Sequence, residues 1–229
     1  MNKGYFKAGI LIVLLVIPAL FFVFLKTFGD NQFSLPKYFP VLDESGHVLI
    51  TEGDTVFNTI SDFTLTNQFG EPVVLSQLGD EIKVVSFFFS RCGTICPMMN
   101  ENLARVQETF KTDSSVNFFS ITIDPEFDTP EVLSEYTSEF SPELKQWQLL
   151  TGQKEYIYKL AIEEFKLPVA DYSGLDSLGN LDVDQAFIHS ERALLLDENN
   201  FIRGIYDATD LLEIDRLKLE IKVLKDINQ

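Results

Sequence analysis

The chain has 229 residues, enough for one domain with appendages, and carries 18 Lys+Arg against 35 Asp+Glu, a net charge of −17. That balance excludes a nucleic-acid partner, which needs a basic footprint, while 45% hydrophobic residues supply the material for a packed core. Only two cysteines occur, Cys92 and Cys96, too few and too close for a disulfide scaffold, so they point to a local redox or metal site.

The charge is uneven. Residues 1–28 hold Lys3, Lys7 and Lys26 and no acid; the other 201 residues hold 15 basic and 35 acidic groups, a balance of −20. Between Lys7 and Lys26 runs AGILIVLLVIPALFFVFL, eighteen residues without a charge. As a helix it would be roughly 27 Å long, near the thickness of a bilayer core. It ends in Phe-Phe-Val-Phe-Leu-Lys, with no small-residue cleavage pattern and no lipidation cysteine, so it reads as an uncleaved anchor more than as a signal peptide. Lys3 and Lys7 before the run place the following domain on the non-cytoplasmic side of the cell membrane. The expected organisation is an anchor over 1–28, a tether over 29–53 containing Pro36, Pro40, Gly46 and Gly53, and a folded domain over 54–229.

Within that domain, Phe63 and Leu65 alternate with polar residues, Asn67-Gln68-Phe69-Gly70 supplies a turn, and Val73-Val74-Leu75 resumes, which predicts a hairpin. KVVSFFFS (83–90) predicts a buried strand, 96–110 a helix with Leu103, Val106 and Phe110 on one face, and VNFFSITI (116–123) a second buried strand. Thr129-Pro130 starts a helix, as cap and first residue. A short strand over 147–150 and a helix over 153–165 follow. Residues 186–196 and 201–206 flank Asp197-Glu198-Asn199-Asn200 as a second hairpin, and 211–224 closes the chain as a helix whose apolar positions are Leu211, Ile214, Leu217, Ile221 and Leu224. A parallel crossover, an antiparallel hairpin and a last helix make an α/β, thioredoxin-like fold: a mixed central sheet flanked by helices, with an N-terminal hairpin extension, preceded by one transmembrane helix.

Cys92 and Cys96 fall where a buried strand ends and a helix begins. Amide groups and the helix dipole there favour a thiolate, and Arg91 can add to the effect. The C-x-x-x-C spacing suits two thiolates converging on one metal ion, without forbidding a disulfide. A metal at two thiolates needs more ligands, and the chain offers two histidines, His47 and His189. His47 lies in the tether and reads as a solvated surface residue; His189 lies at the start of the predicted late strand, on the side of the cysteines in a thioredoxin-like layout. Two thiolates and an imidazole are a soft set suited to Cu(I), with Cu(II) also accessible. Met98 and Met99 read as core or rim. Asp124 and Asp128 read first as turn and helix-start chemistry.

The segment Phe87-Phe88-Phe89-Ser90-Arg91-Cys92-Gly93-Thr94-Ile95-Cys96-Pro97 resembles the C-x-x-x-C-P signature of the Sco/SenC family, membrane-anchored thioredoxin-like copper chaperones for the copper A site of cytochrome c oxidase. Asp124-Pro125-Glu126-Phe127-Asp128-Thr129-Pro130 resembles the family's D-P-x-x-D-T-P segment, and His189-Ser190 its His-Ser motif. The resemblance spans about residues 54–226. It implies Cys92, Cys96 and His189 as copper ligands and, as partner, the oxidase copper-binding subunit or another copper protein. It also suggests that Asp124 and Asp128 fix a loop or meet that partner. The chain departs from the family at Ile188, where the family usually has Asp, and at Gly93-Thr94-Ile95, where it usually has Pro-Asp-Val. The lost acids remove neighbours that tune a metal site.

The alternative is a dedicated thiol–disulfide reductase, in which Cys92 attacks a partner disulfide and Cys96 resolves. Thioredoxin-type reductases place a proline before the late strand, and here none follows Pro168. A peroxide-reducing enzyme would need a Thr–Cys–Arg arrangement in another order than Arg91, Cys92 and Thr94 provide.

Overall fold

A computed structural model describes residues 3–28, 34–79, 81–137, 146–172, 187–188 and 190–227. The chain divides into two compact units, 1–34 and 35–229. In the first, helix α1 runs Lys3–Phe28 with Pro18 inside it. Its side chains are described only over 12–24, where the apolar ones are exposed, and among the described residues no helix is long and apolar enough to cross a membrane.

The second unit is built on a seven-stranded mixed sheet. Its strands are β3 (Thr64–Asn67), β4 (Pro72–Val74), β5 (Ile82–Phe88), β6 (Val116–Thr122), β7 (Trp147–Thr151), β10 (Arg192–Leu196) and β11 (Ile202–Asp207), in the order β11-β10-β5-β6-β7-β3-β4. The three central strands, β5, β6 and β7, are parallel, and the outer pairings are antiparallel. This is the expected thioredoxin-like arrangement, and the N-terminal hairpin β3–β4 extends the sheet through β7.

The centre of the sheet follows from sequence. IKVVSFF of β5 is buried throughout, as a parallel strand covered on both faces must be. Lys83 lies in that run at 0% exposure; its ammonium reaches back to the strand's start and donates to the Glu81 carbonyl at 2.9 Å. Helix α2 (Ile95–Phe110) buries Met99, Leu103, Val106 and Phe110, residues three or four apart on one face. It packs against helix α5 (Leu211–Ile227), which packs against β11. Helix α3 (Pro130–Tyr136) opens as predicted: Thr129 Oγ1 accepts from Val132 N at 3.4 Å and Pro130 occupies the first turn.

Four local readings change. Residues 35–53, expected as tether, fold onto the domain. Leu35 is buried, Arg203 donates to the Leu35 and Pro36 carbonyls, and β1 (Ile50–Thr51) pairs with β2 (Asp54–Thr55). Turn residues Pro and Gly suggest a linker locally; the carbonyls they leave open are claimed by a distant arginine. The predicted strand over 186–196 is two. β9 (Phe187–Ile188) pairs with β8 (Ala170–Asp171) in a separate ribbon, and β10 starts only at Arg192. The helix predicted over 153–165 is α4 (Lys154–Lys159) continued by a π-turn at Leu160–Glu164, closed by Phe165 N donating to Leu160 O. Leu211 is 51% exposed, because it sits in the first turn of α5, ahead of the buried stripe Ile214, Leu217, Ile221 and Leu224.

Candidate metal centre

The β5–α2 junction places the two cysteines. After β5 the chain turns, with Cys92 N donating to Phe89 O at 3.2 Å, and enters α2 at Ile95. The first amides of a helix have no partner within it. Thr94, at the cap position, offers no side-chain cap, and Cys92 Sγ takes that place: Cys96 N donates to it at 3.3 Å. The sulfur thus lies at the positive end of the helix, where an anion is stabilised. Cys92 is 4% exposed and Cys96 fully buried. Two soft donors, one already held as an amide-bonded sulfur, fit a soft metal ion.

The loop is fixed by two carboxylates. Asp128, fully buried, accepts from Ser90 N at 3.1 Å, from Ser90 Oγ and from Thr122 Oγ1. Thr122 Oγ1 in turn accepts from Asp124 N at 3.0 Å. Asp124 binds the Arg91 guanidinium, whose Nε donates at 3.0 Å, and the guanidinium lies 4.4 Å from the Phe127 ring centroid. These contacts join the turn after β5, the end of β6 and the loop before α3, and they lock the two residues before Cys92. Asp124 and Asp128 therefore fix the loop. Their residue types alone suggest turn and helix-start chemistry, while the family resemblance suggests a loop-fixing role, which these contacts bear out; what sequence does not carry is Ser90 and Thr122 as their partners. Arg91, read as a support for the thiolate, has its charge met by Asp124.

Burial pushes the Asp124 carboxyl up, against the opposing hydrogen bonds and charge of Arg91. The folded chain therefore binds this proton up to a higher pH than the unfolded chain does. The resulting contribution to stability is full below the ordinary Asp range and is lost as pH rises through the folded value. Carbon-13 carboxyl NMR of the full chain should show Asp124 titrating above an ordinary Asp, and higher still in Arg91→Met. A wild-type midpoint at or below the ordinary value would contradict this.

His189 lies outside the described residues. Its predecessor Ile188 pairs with Ala170 across the β8–β9 ribbon. Among the described residues, no three His, Cys, Asp or Glu side chains form a metal cluster. His47 is exposed in the 43–47 turn, 3.9 Å from Asp43, as a solvated residue. Met99 is core and Met98 half exposed.

Comparison with known proteins agrees with this architecture. The SCO1/SenC profile matches residues 52–223. The chain is 31% identical to a SCO1 protein homolog of Bacillus subtilis over 165 residues, covering 71% of this chain and 81% of that one. Among solved structures it is similar to BsSco, described as a member of the Sco family of cytochrome c oxidase assembly proteins with a disulfide switch. That match has 26% identity and a TM-score of 0.62, covering 73% of this chain and 93% of that one. It is also similar to copper-bound ScoI of Arabidopsis thaliana, at 26% identity and a TM-score of 0.58, covering 74% and 98% of the two chains.

Proposed function

The chain belongs to the SCO1/SenC family, and from that premise we propose that it is a membrane-anchored copper chaperone that delivers copper to, or matures, the copper A site of cytochrome c oxidase. Cys92, Cys96 and His189 are the ligands. The observation that carries this reading is the Cys96 amide on Cys92 Sγ at the helix start, which readies one thiolate beside a second cysteine. Copper in the Arabidopsis relative supports the choice of metal, and the BsSco description supports the oxidase as partner. Copper here is cargo, and the residues that lock the loop hold the donors in place while it is carried.

The uncharged run over 8–25 anchors the chain, and the acidic domain lies on the non-cytoplasmic side, facing a basic or metal-loaded partner. A thiol–disulfide role is the second reading, favoured by the disulfide switch of BsSco. In it Cys92 attacks a partner disulfide and Cys96 displaces the partner; the partner gains two thiols as this pair becomes a disulfide.

Anaerobic copper titration of the full chain in detergent tests the first reading. About one copper per chain, with thiolate-to-copper absorption, is expected of a soft two-sulfur, one-nitrogen site. A chain that binds no copper while reducing partner disulfides would replace it with the second.

A further inference from the structure

Cys92 and His189 lie on segments nearly a hundred residues apart in sequence, and one side chain joins the supports of both. Lys154, at the start of α4, donates to Glu126 Oε2 at 2.7 Å and to Asp171 Oδ2 at 2.5 Å. Glu126 belongs to the loop whose Asp124 holds Arg91 beside Cys92. Asp171 belongs to β8, whose partner β9 ends at Ile188, the residue before His189. One turn along α4, Tyr158 Oη donates to the Ile123 carbonyl at 3.0 Å, pinning the start of the same loop. Lys154 thus spans a pocket of about 660 Å³ lined by Glu126, Tyr158 and Asp171.

The two arms of the bridge are unequal. Glu126 is largely exposed, so solvent screens its arm and that arm contributes little. Asp171 is largely buried, and its charge is met there by Lys154. Arginine can reproduce such a bridge, whereas an apolar side chain of similar length would fill the space and leave Asp171 without the ammonium.

We infer that Lys154 is a positioning residue that ties the β8–β9 ribbon, which leads into His189, to the Asp124–Glu126 loop, which supports Arg91 beside Cys92. This rests on the reading of Cys92, Cys96 and His189 as copper ligands. The alignment of donors around a metal is governed by such outer supports, and losing one typically weakens metal affinity by about 10- to 100-fold.

The test compares the full chain with Lys154→Met and Lys154→Arg. In the metal-free proteins, hydrogen–deuterium exchange of peptides covering 187–188 should be faster in Lys154→Met and restored in Lys154→Arg, with the reactive thiol count unchanged. With copper, competition against a chelator should show about tenfold weaker retention in Lys154→Met and a changed EPR spectrum, both recovered by arginine. Unchanged exchange, affinity and spectrum in Lys154→Met would overturn the inference, as would a general loss of stability that arginine does not repair. If wild type binds no copper, the ligand reading fails by itself, and the exchange measurement, which needs no metal, decides whether Lys154 holds the ribbon.

Discussion

Replacing Asp128 with alanine is expected to destabilise the domain by about 4 kcal/mol and to release the Cys92 loop. The carboxylate is fully buried and is the acceptor for Ser90 N, Ser90 Oγ and Thr122 Oγ1. Alanine leaves three donors without it, one on buried Thr122 and two on half-buried Ser90. Hydrogen bonds to a buried charge contribute about 1.5–3 kcal/mol each, and an orphaned buried donor costs about as much. Asparagine keeps one acceptor oxygen and should cost less. Urea unfolding gives the stability. The rate at which Cys92 is alkylated under native conditions reports the loop, and it should rise in Asp128→Ala by more than the stability loss alone explains. An Asp128→Ala chain with wild-type stability and wild-type alkylation would remove Asp128 from the account of the site.

The second large effect is expected far from the cysteines. Gly204, in β11, lies under the ring of Tyr206 on the same strand face, so a Cβ there would overlap the phenol. The ring has nowhere to go. Tyr206 is fully buried, its hydroxyl donates to Glu220 Oε2 at 2.5 Å, and the Arg216 guanidinium lies 4.5 Å from its centroid. Gly204→Ala should therefore cost about 3 kcal/mol, on the order of a 10 °C fall in Tm for a domain of this size. Because the damage is a clash with one partner, Gly204→Ala combined with Tyr206→Ala should cost less than the two single changes added. Simple additivity would show that the overlap is not the cause.

Much of this fold was legible because the hydrophobic pattern changes period cleanly. The largely apolar runs of β5 and β6 and the three-four spacing of α2 and α5 state their environment in the sequence itself. The cysteine pair was legible for the same reason, since it lies where one period gives way to the other. What local pattern does not carry is long-range hydrogen bonding. Arg203 reaches 167 positions back to Pro36 and turns an apparent tether into part of the domain. Asp171 and Lys154 tie β8 into place, and β9 pairs with it instead of continuing into β10, which splits a strand that reads as one. Asp128 is a helix-start residue by sequence and a buried anchor of the Cys92 loop by contact, because its partners are distant in sequence: Ser90 in the turn after β5 and Thr122 at the end of β6.

On the proposed reading Cys92, Cys96 and His189 together hold copper. Its most direct test is the anaerobic copper titration of the full chain beside its His189→Ala variant, followed by absorption and EPR. About one copper per wild-type chain is expected, with thiolate-to-copper charge-transfer bands that collapse in the variant while both thiols remain titratable. Copper stoichiometry and spectra unchanged in His189→Ala would contradict it.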